Sequence, residues 1–461
     1  MKKKIIKMRK HTYHEAIDFF KNMPHFMPPK DGGAKKNFFS LDAELMLLEK
    51  LDRPQDKLKY VHIAGTNGKG STTAYLANIL YEASVVTGAF TSPFLYRYNE
   101  MFKVNGMDIS DEEFADVFSK VRPAYDELLD EGIFVSEYEF LTVMAFMYFI
   151  EKKCDIVLLE VSMGGRMDTT NVIPAPLVSV ITPISYDHMT ILGNTLRGIA
   201  VEKAGIIKPG TVVVSAKQEP EVAEVLTEVC RSFEDMEITY FKDDSCTEID
   251  YVEHINSVVP IDFVEPGKII ARDIYGQKFI VADGKEYFTE MLGTYQIDNA
   301  ALAIAAARKL SDLGYPITEN AIKNGIVNTK WYGRFTLLSD NPPVIIDGGH
   351  NRQGAAVLRA SLEEYFPDKK ITFIMGILAD KEVDIILDTL MPIADKCYTV
   401  AVPNARTMPP EKLAEMIRAR GVDAVVLGAD MTLDCIKEKA DVVCIAGSLY
   451  LISQISNESK A

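Results

Sequence analysis

Short runs of Val, Ile and Leu alternate with helix-like segments along most of this chain. In the first half these runs cover residues 60–64, 155–161, 177–182 and 211–215. Continuous apolar runs of this length are typical of strands that are buried on both faces of a parallel sheet. Because helix-like segments separate the runs, the pattern predicts an α/β domain.

Two helices of this domain carry local signals. Ser110 is followed three residues later by Glu113, which is the spacing of a capping box at a helix start. Residues 137–153 are strongly apolar and lack helix breakers, so they predict a helix packed on the sheet. Further along, the alanine-rich residues 299–310 predict another helix.

Residues 232–290 differ, because they alternate in polarity and contain turn signals, which predicts short antiparallel strands. The βα alternation then resumes, with strand-like runs at residues 344–347, 371–376, 398–402, 424–427 and 442–446. The pattern therefore predicts two doubly wound α/β domains joined by a hinge near residues 293–299. They are a P-loop ATPase-like domain at residues 1–295 and a smaller Rossmann-like domain at residues 296–461.

Composition narrows the function classes. The chain is 48% hydrophobic with a net charge of −16, which disfavours a general binder of nucleic acid or acidic membranes. The basic start lacks the apolar stretch of a secretory signal, and no run of about 18 apolar residues predicts a membrane span. Six cysteines without a C-x-x-C pair are consistent with reduced thiols. We therefore expect a cytoplasmic protein.

Residues 59–73 carry the clearest chemistry. An apolar strand runs into a turn in which Gly65, Gly68 and Gly70 let backbone amides approach a ligand. Lys69 adds a charge for phosphate oxygens, and Ser71 opens a predicted helix whose N-terminus favours anions. This order predicts an ATP phosphate loop, although Gly70 interrupts the usual G-x-x-x-x-G-K-[ST] spacing. The alternative is a glycine-rich turn with an incidental lysine.

Two further candidate side chains follow apolar runs, where α/β sheets place ligands, and a third lies in a predicted helix. Glu160 ends a strand beside the phosphate loop and is a candidate Mg²⁺ ligand, or else a solvated glutamate. His188 follows the next strand; a single histidine is more often structural. Lys203 lies in an apolar helix end, either snorkelling to solvent or carrying a lowered pKa that allows chemistry on its amine.

The second half has its own strand-end loop. Asp347 closes an apolar run and is followed by two glycines, His350 and Asn351. This order predicts a ligand loop rather than a second phosphate loop. Arg334, in a Gly-Arg-Phe segment just before it, is a candidate for a charge-assisted contact with phosphate.

These stretches together resemble the folylpolyglutamate synthase and dihydrofolate synthase family of the Mur ligase group. The matching segments are Ala-Gly-Thr-Asn-Gly-Lys-Gly-Ser at 64–71, Thr-Ser-Pro-Phe at 91–94, Leu-Glu-Val-x-x-Gly-Gly-Arg-x-Asp at 159–168, Asp-His at 187–188, Glu-Lys-Ala-Gly-Ile at 202–206, Gly-Arg-Phe at 333–335, Asp-Gly-Gly-His-Asn at 347–351, Asp-Lys at 380–381 and the strand at 442–448. Residues 1–58 and 232–290 match poorly.

The resemblance implies roles for individual residues. The phosphates of ATP would be held by Asn67, Gly68, Lys69, Gly70 and Ser71. The first of two Mg²⁺ ions would be bound by Ser92 and Glu160, and the second by His188 and a carbamylated Lys203. With Lys69, the side chains of Glu160, His188 and Lys203 would form the catalytic set.

Further positions would bind the two large substrates. Asn299, Arg334, Asp347 and His350 would reach ATP from the C-terminal domain. The pterin substrate would contact Ser136, Glu137, Tyr138, Glu139, Met167, Asp168 and Thr169.

The implied activity is an ATP-dependent ligation of L-glutamate to the γ-carboxyl of a reduced folate through an acyl phosphate, in a monomer. A bifunctional enzyme that also uses dihydropteroate is the alternative, although Phe94 stands where many relatives have His, which weakens that case. A peptidoglycan-precursor Mur ligase is disfavoured, because no nucleotide-sugar domain precedes the loop. An ATP-binding switch without ligase chemistry would not need Glu160, His188 and Lys203 together.

Overall fold

The computed structural model describes residues 9–23, 40–233, 236–241, 249–255, 258–428 and 432–458. The helices are α1 (Tyr13–Asn22), α2 (Asp42–Lys50), α3 (Lys69–Glu82), α4 (Asp111–Asp130), α5 (Glu137–Glu151), α6 (Met189–Leu192), α7 (Leu196–Ala204), α8 (Pro220–Arg231), α9 (Gln296–Asp312), α10 (Glu319–Asn328), α11 (Arg352–Tyr365), α12 (Val383–Leu390), α13 (Pro410–Arg418), α14 (Leu433–Lys437) and α15 (Leu449–Glu458).

The strands alternate with these helices through most of the chain. They are β1 (Tyr60–Ala64), β2 (Thr87–Phe90), β3 (Phe102–Val104), β4 (Met107–Asp108), β5 (Ile156–Glu160), β6 (Val178–Ile181), β7 (Val212–Ala216), β8 (Met236–Phe241), β9 (Ile249–Ile255), β10 (Ile261–Val264), β11 (Lys268–Asp273), β12 (Gly276–Ile280), β13 (Glu286–Thr289), β14 (Thr336–Asp340), β15 (Pro343–Asp347), β16 (Ile371–Met375), β17 (Ala394–Thr399), β18 (Asp423–Val426) and β19 (Val442–Ala446).

The N-terminal sheet has eight strands in the order β10-β7-β6-β1-β5-β2-β3-β4. The first six run parallel, and β3 and β4 add an antiparallel edge. Alternate residues of β5 face opposite sides, so Ile156 and Leu158 pack with α3, α9 and α10, whereas Val157 and Leu159 pack with α4 and α5. Burial on both faces explains why these strands read as continuous apolar runs.

The C-terminal sheet has six strands in the order β14-β15-β19-β16-β17-β18. All neighbours are parallel except β14, which pairs antiparallel with β15. Helices α11, α12 and α13 cover one face, and α14 and α15 cover the other. The prediction of two doubly wound α/β units is therefore confirmed.

The segment between the sheets departs in part from the prediction. Antiparallel pairs are confirmed for β8 with β9 and for β11 to β13. The prediction was wrong for β10, which pairs parallel with β7, with Phe263 opposite Ser215. This strand therefore extends the N-terminal sheet. Residues 242–248, with Cys246, and residues 1–8 lie outside the described part of the chain.

Helices α9 and α10 belong to the core of the N-terminal sheet. Buried residues of both, such as Leu302 and Ile326, share one hydrophobic cluster with Val61 of β1. The chain enters the C-terminal sheet only at β14. The boundary between residues 295 and 296 stays a prediction; this packing favours a crossover within residues 329–335, which we propose instead.

Two other expectations can be compared with the described residues. Five cysteines are described, and all are free thiols. Within the same ranges, none of the helices is long and apolar enough to cross a membrane.

Candidate active site

The loop between β1 and α3 is shaped by close contacts at its glycines. Gly65 has a φ of +144°, and a Cβ on it would lie 1.9 Å from Oγ1 of Thr182. Gly68 has a φ of +90°, and its Cβ would lie 2.4 Å from Oδ1 of Asn299. Because Gly68 takes the left-handed conformation at the N-cap, α3 begins at Lys69 and not at Ser71 as the sequence predicted. The strand, turn and helix therefore form a phosphate-loop geometry.

The side-chain amines of two lysines donate hydrogen bonds to backbone carbonyl oxygens of this loop. The Lys203 amine donates to the carbonyl oxygen of Gly65 at 2.7 Å, and the Lys69 amine donates to the same oxygen at 3.2 Å and to that of Thr66 at 3.1 Å. Burial lowers the pKa of Lys203 to about 7, and burial also lowers the pKa of Lys69. The structure therefore places the Lys203 amine in contact with the phosphate loop. Because its pKa is lowered to about 7, part of this amine is unprotonated near pH 7.

Glu160 and Ser92 are neighbours because β5 and β2 are adjacent parallel strands. The Ser92 N–H donates to Oε2 of Glu160 at 3.4 Å, which is the only hydrogen bond of that carboxyl group among the described residues. Burial raises the pKa of Glu160 to about 7. A buried carboxyl group with few partners beside a phosphate loop fits a Mg²⁺ ion, since Mg²⁺ takes few protein carboxylates and several phosphate or water oxygens.

His188 lies apart from that pair. Its backbone has a φ of 50°, and its ring is half-exposed beside Asp187, with 3.9 Å between Nε2 and Oδ2. Within the described ranges it makes no hydrogen bond or ion pair with Glu160 or Lys203. Those ranges also contain no group of three His, Cys, Asp or Glu side chains arranged to hold a metal. The predicted second metal site therefore stays a prediction.

The residues predicted to contact the pterin begin at the start of α5. Ser136 and Glu139 form a reciprocal capping box, so their side chains hold the helix end. The Tyr98 hydroxyl donates to Glu137. The Tyr138 hydroxyl donates to Oγ of Ser92 at 3.2 Å, which links α5 directly to the Ser92 and Glu160 pair.

Asp168 organises the irregular loop after β5. Its Oδ2 accepts hydrogen bonds from the N–H groups of Ser162 and Met163, both at 2.9 Å. Its Oδ1 accepts hydrogen bonds from Thr170, from the N–H at 3.0 Å and from the side-chain hydroxyl at 2.6 Å. Both oxygens are thus used inside the loop. Thr169 contacts Thr142 of α5 at 2.7 Å between the hydroxyls, whereas Met167 is half-buried with no described hydrogen bond from its side chain.

Asp347, at the end of β15, holds its loop in place with both carboxylate oxygens, as Asp168 does. Its Oδ2 accepts the Tyr295 hydroxyl at 2.8 Å and the Phe335 N–H at 2.9 Å, and its Oδ1 accepts the Gly349 N–H at 2.7 Å. His350 contacts the Gly348 carbonyl through Nδ1 at 3.0 Å, and burial lowers its pKa to about 4. The loop after β15 is therefore fixed by its own aspartate.

Helix α9 reaches the phosphate loop through two amides. Asn299 donates to the side chain of Gln296 at 3.0 Å, and Gln296 donates to Oγ of Ser71 at 3.3 Å. The hydroxyl of Ser71 is thereby oriented by α9. Gln296 was not predicted, because its partner is 225 positions away in the sequence.

The sequence also gave no signal for the hydrogen bonds that join loops of the N-terminal sheet to the start of α11. Asn67 of the phosphate loop donates to Oε1 of Gln353 at 2.7 Å, and it exchanges hydrogen bonds of 3.3 and 3.1 Å with Asn351. Ser185 donates to the same oxygen of Gln353 at 2.8 Å. Helix α11 is thereby attached to the loop.

A cavity of about 640 Å³ opens beside the loop. Ser92, Glu160 and Arg334 line it together with Gly70, and Trp331 forms part of its wall. A Cβ on Gly70 would lie 3.1 Å from the Trp331 ring. The cavity is large enough for a drug-sized ligand whose reactive end lies at the phosphate loop.

A phosphate loop on one doubly wound sheet, in contact with a strand-end loop of a second sheet, fits the ATP-dependent amide ligases of the Mur type. Residues 63–307 match the Mur ligase middle domain, and residues 333–449 match the Mur ligase glutamate ligase domain. The chain belongs to the folylpolyglutamate synthase and dihydrofolate synthase family within that superfamily.

The similarity extends over most of the chain. It is 34% identical over 427 residues to the dihydrofolate synthase/folylpolyglutamate synthase of Bacillus subtilis, covering 90% of this chain and 93% of the relative. It is 32% identical to the folylpolyglutamate synthase of Lacticaseibacillus casei, covering 89% and 92%. A solved FPGS–AMPPCP–folate complex superimposes with a TM-score of 0.78 at 28% identity, covering 98% of this chain and 100% of that one.

Proposed function

We propose that this ligase adds L-glutamate to the γ-carboxyl group of a reduced folate. The main support is the cavity that runs from the phosphate loop past Ser92, Glu160 and Arg334. It gives an acceptor carboxylate access to the place where the γ-phosphate of ATP would lie. The folate named in the solved complex supports the same substrate class.

The resemblance to this family implies the course of the reaction. The acceptor carboxylate attacks the γ-phosphorus of ATP, so that a carboxyl oxygen–phosphorus bond forms and ADP leaves. The amine of L-glutamate then attacks the acyl carbon, the amide forms, and inorganic phosphate leaves with a proton released. Lys69 and the amides of Gly68, Gly70 and Ser71 hold the phosphates, with the Asn67 backbone beside them. Excluding water protects the acyl phosphate from hydrolysis.

Groups from both sheets would complete the ATP site, with Asn299 on the N-terminal side because α9 packs in the core of that sheet. Arg334 would contact phosphate, Asp347 and His350 would lie at the nucleotide, and Asn299 would reach it from α9. The pterin would lie along Tyr138 and the loop of Met167 and Thr169. Ser136, Glu137, Glu139 and Asp168 shape this wall.

Two Mg²⁺ ions would be held by Ser92 with Glu160 and by His188 with Lys203. When bound, they supply charge that stabilises the transferring phosphoryl group. A neutral Lys203 amine can attack CO₂, forming an N–C bond and releasing a proton, which yields a carbamate with two oxygens. Lys203 suits this chemistry because burial lowers its pKa to about 7.

The bifunctional alternative remains open, because the Bacillus subtilis relative bears both activities in its name. In this chain Phe94 packs against Tyr98, with 4.6 Å between the ring centroids and 43° between the ring planes, and supplies no polar group to an acceptor. We therefore favour folate over dihydropteroate. We further propose a monomer that acts on small molecules in the cytoplasm and not on nucleic acid or membranes.

An ADP-release assay tests this function. Purified protein is given ATP and Mg²⁺ with L-glutamate and either tetrahydrofolate or dihydropteroate. We expect release that requires both glutamate and tetrahydrofolate. Equal turnover of dihydropteroate would establish the bifunctional alternative, and a rate that neither folate nor glutamate changes would contradict the ligase.

A further inference from the structure

We propose that Gln353 is a positioning residue, which attaches the C-terminal sheet to the phosphate loop and thereby sets the affinity for ATP. The proposal rests on the ATP site described above and names a residue outside the recognised motifs. It concerns how the two sheets are held together around the nucleotide.

The Gln353 side chain accepts two hydrogen bonds from the N-terminal sheet's loops. Its Oε1 lies 2.7 Å from Nδ2 of Asn67 and 2.8 Å from Oγ of Ser185. Both donors come from strand-end loops, Asn67 after β1 and Ser185 after β6. One oxygen on α11 therefore connects two loops of the other sheet.

Asn351 strengthens the same junction. Its Oδ1 caps α11 by accepting the Gly354 N–H at 2.7 Å, while its Nδ2 donates to Asn67 and to Asp187 at 3.1 and 3.2 Å. The start of α11 is thus held at a fixed distance from the phosphate loop. Gln353 lies on the first turn of that helix.

The side chain of Asn67 is consequently engaged with α11. Its Nδ2 and Oδ1 both contact residues of the C-terminal part, which leaves its backbone to the phosphates. The shape of the phosphate loop and the placement of α11 are therefore coupled. Asp347, which we place at ATP, ends a strand of the sheet that α11 covers, and Arg334 lies just before that sheet's first strand. The position of α11 therefore bears on both groups.

This coupling has a quantitative consequence. ATP would bind groups on both sheets, so its affinity depends on how much of the protein is in the attached arrangement. When a mutation lowers that fraction, the apparent dissociation constant rises in inverse proportion to it, whereas saturating ATP restores the attached state. Losing Gln353 should therefore raise the KM for ATP and change kcat little.

A double-mutant cycle tests the proposal. Gln353→Ala should weaken ATP binding by up to about ten-fold, since about 1.4 kcal/mol of hydrogen bonding is lost. Asn67→Ala should weaken it at least as much, because it also removes the two hydrogen bonds with Asn351. The double variant should lose less than the product of the two single losses, because the Asn67–Gln353 hydrogen bond is removed by either change. Ser185→Ala should give a smaller loss that disappears in the Gln353→Ala background. Binding is followed by calorimetry with the full-length chain.

Arg352→Ala is the matched control. Arg352 precedes Gln353 on α11 but is exposed and pairs with Glu382 at 2.9 Å, so this variant should bind ATP like the wild type. Additive losses in the cycle, an unchanged KM for ATP in Gln353→Ala, or a fall confined to kcat would overturn the proposal. A wild-type protein that does not bind ATP would instead refute the ATP site itself, so the two failures are distinguishable.

Discussion

Lys203 and Gly65 are joined by a hydrogen bond of 2.7 Å from the lysine amine to the backbone carbonyl of the phosphate loop. This bond places a buried amine at the turn that would hold the phosphates. Because burial lowers the pKa of Lys203 to about 7, a large fraction of the amine is unprotonated at neutral pH. A lysine so placed can become a carbamate without a large cost for losing its proton.

We predict that Lys203→Ala abolishes ligation while ATP still binds. The reason is that the proposed carbamate oxygens are lost and the loop glycines are kept. Added short carboxylates should restore part of the activity. Lys203→Arg, which keeps a cation but cannot be carbamylated, should be inactive and not rescued. Wild-type activity in either variant would exclude a role for a carbamate.

The same amine predicts a pH dependence. A lowered pKa means that the proton is lost as the pH rises through about 7, so the form that reacts with CO₂ is scarce below that pH and abundant above it. Activity of wild-type protein should therefore rise between pH 6 and 8, and added bicarbonate should help most at the acid end. Initial rates at several bicarbonate concentrations measure this. A profile that bicarbonate leaves unchanged would contradict it.

Glu160→Gln should lower kcat by roughly a hundred-fold or more, because charge stabilisation by a metal ion is worth several kcal/mol. The amide keeps the size of the side chain but removes the negative charge that would attract Mg²⁺. The expected signature is a higher Mg²⁺ concentration for half-maximal activity. Glu202→Gln is a suitable control, since Glu202 pairs with exposed Arg166. Unchanged Mg²⁺ dependence would remove Glu160 from the metal site.

The sequence was informative where a buried strand forms a continuous apolar run, whereas β2 (Thr87–Phe90), which is also buried throughout, was not predicted because its Thr-Gly-Ala-Phe sequence lacks such a run. Residues 60–64 and 442–446 were predicted as strands and are β1 and β19, because central parallel strands must be apolar throughout. The strand-end rule also placed Glu160 and the phosphate loop at one edge of the sheet. These features depend on local pattern, which a single sequence contains.

Contacts between distant segments were not predictable in this way. Gln353 and Gln296 carry no motif, and their importance appears only when α11 and α9 are placed against the phosphate loop. The parallel pairing of β10 was missed because this edge strand is short and half-exposed and lacks the continuous apolar run of a central parallel strand. The substrate contact of Asp168 stays a prediction, and its hydrogen bonds within its own loop could not be predicted from the sequence.

Gly70→Ala should weaken ATP binding by roughly ten-fold, since overpacking of this kind costs about 1–3 kcal/mol. The added methyl group would lie 3.1 Å from the Trp331 ring, so either the ring or the loop must shift. Trp331 is the only tryptophan of the chain, and its emission should therefore change in the variant. Trp331→Leu in the Gly70→Ala background should recover binding. If Gly70→Ala binds ATP like the wild type, the ring does not explain the inserted glycine.

Asp168→Asn should destabilise the protein nearly as much as Asp168→Ala, by roughly 3 kcal/mol, although the amide has the same shape as the carboxyl group. Both oxygens of Asp168 accept hydrogen bonds, Oδ2 from Ser162 and Met163 and Oδ1 from Thr170. An amide has one acceptor atom, so its NH₂ group must face one of these sets of donors. Thr169→Ala, which removes only the hydroxyl contact with Thr142, is the milder comparison. Urea unfolding followed by circular dichroism measures the loss of stability in each variant. If the Asp168→Asn midpoint equals that of the wild type, the two oxygens are not both required as acceptors.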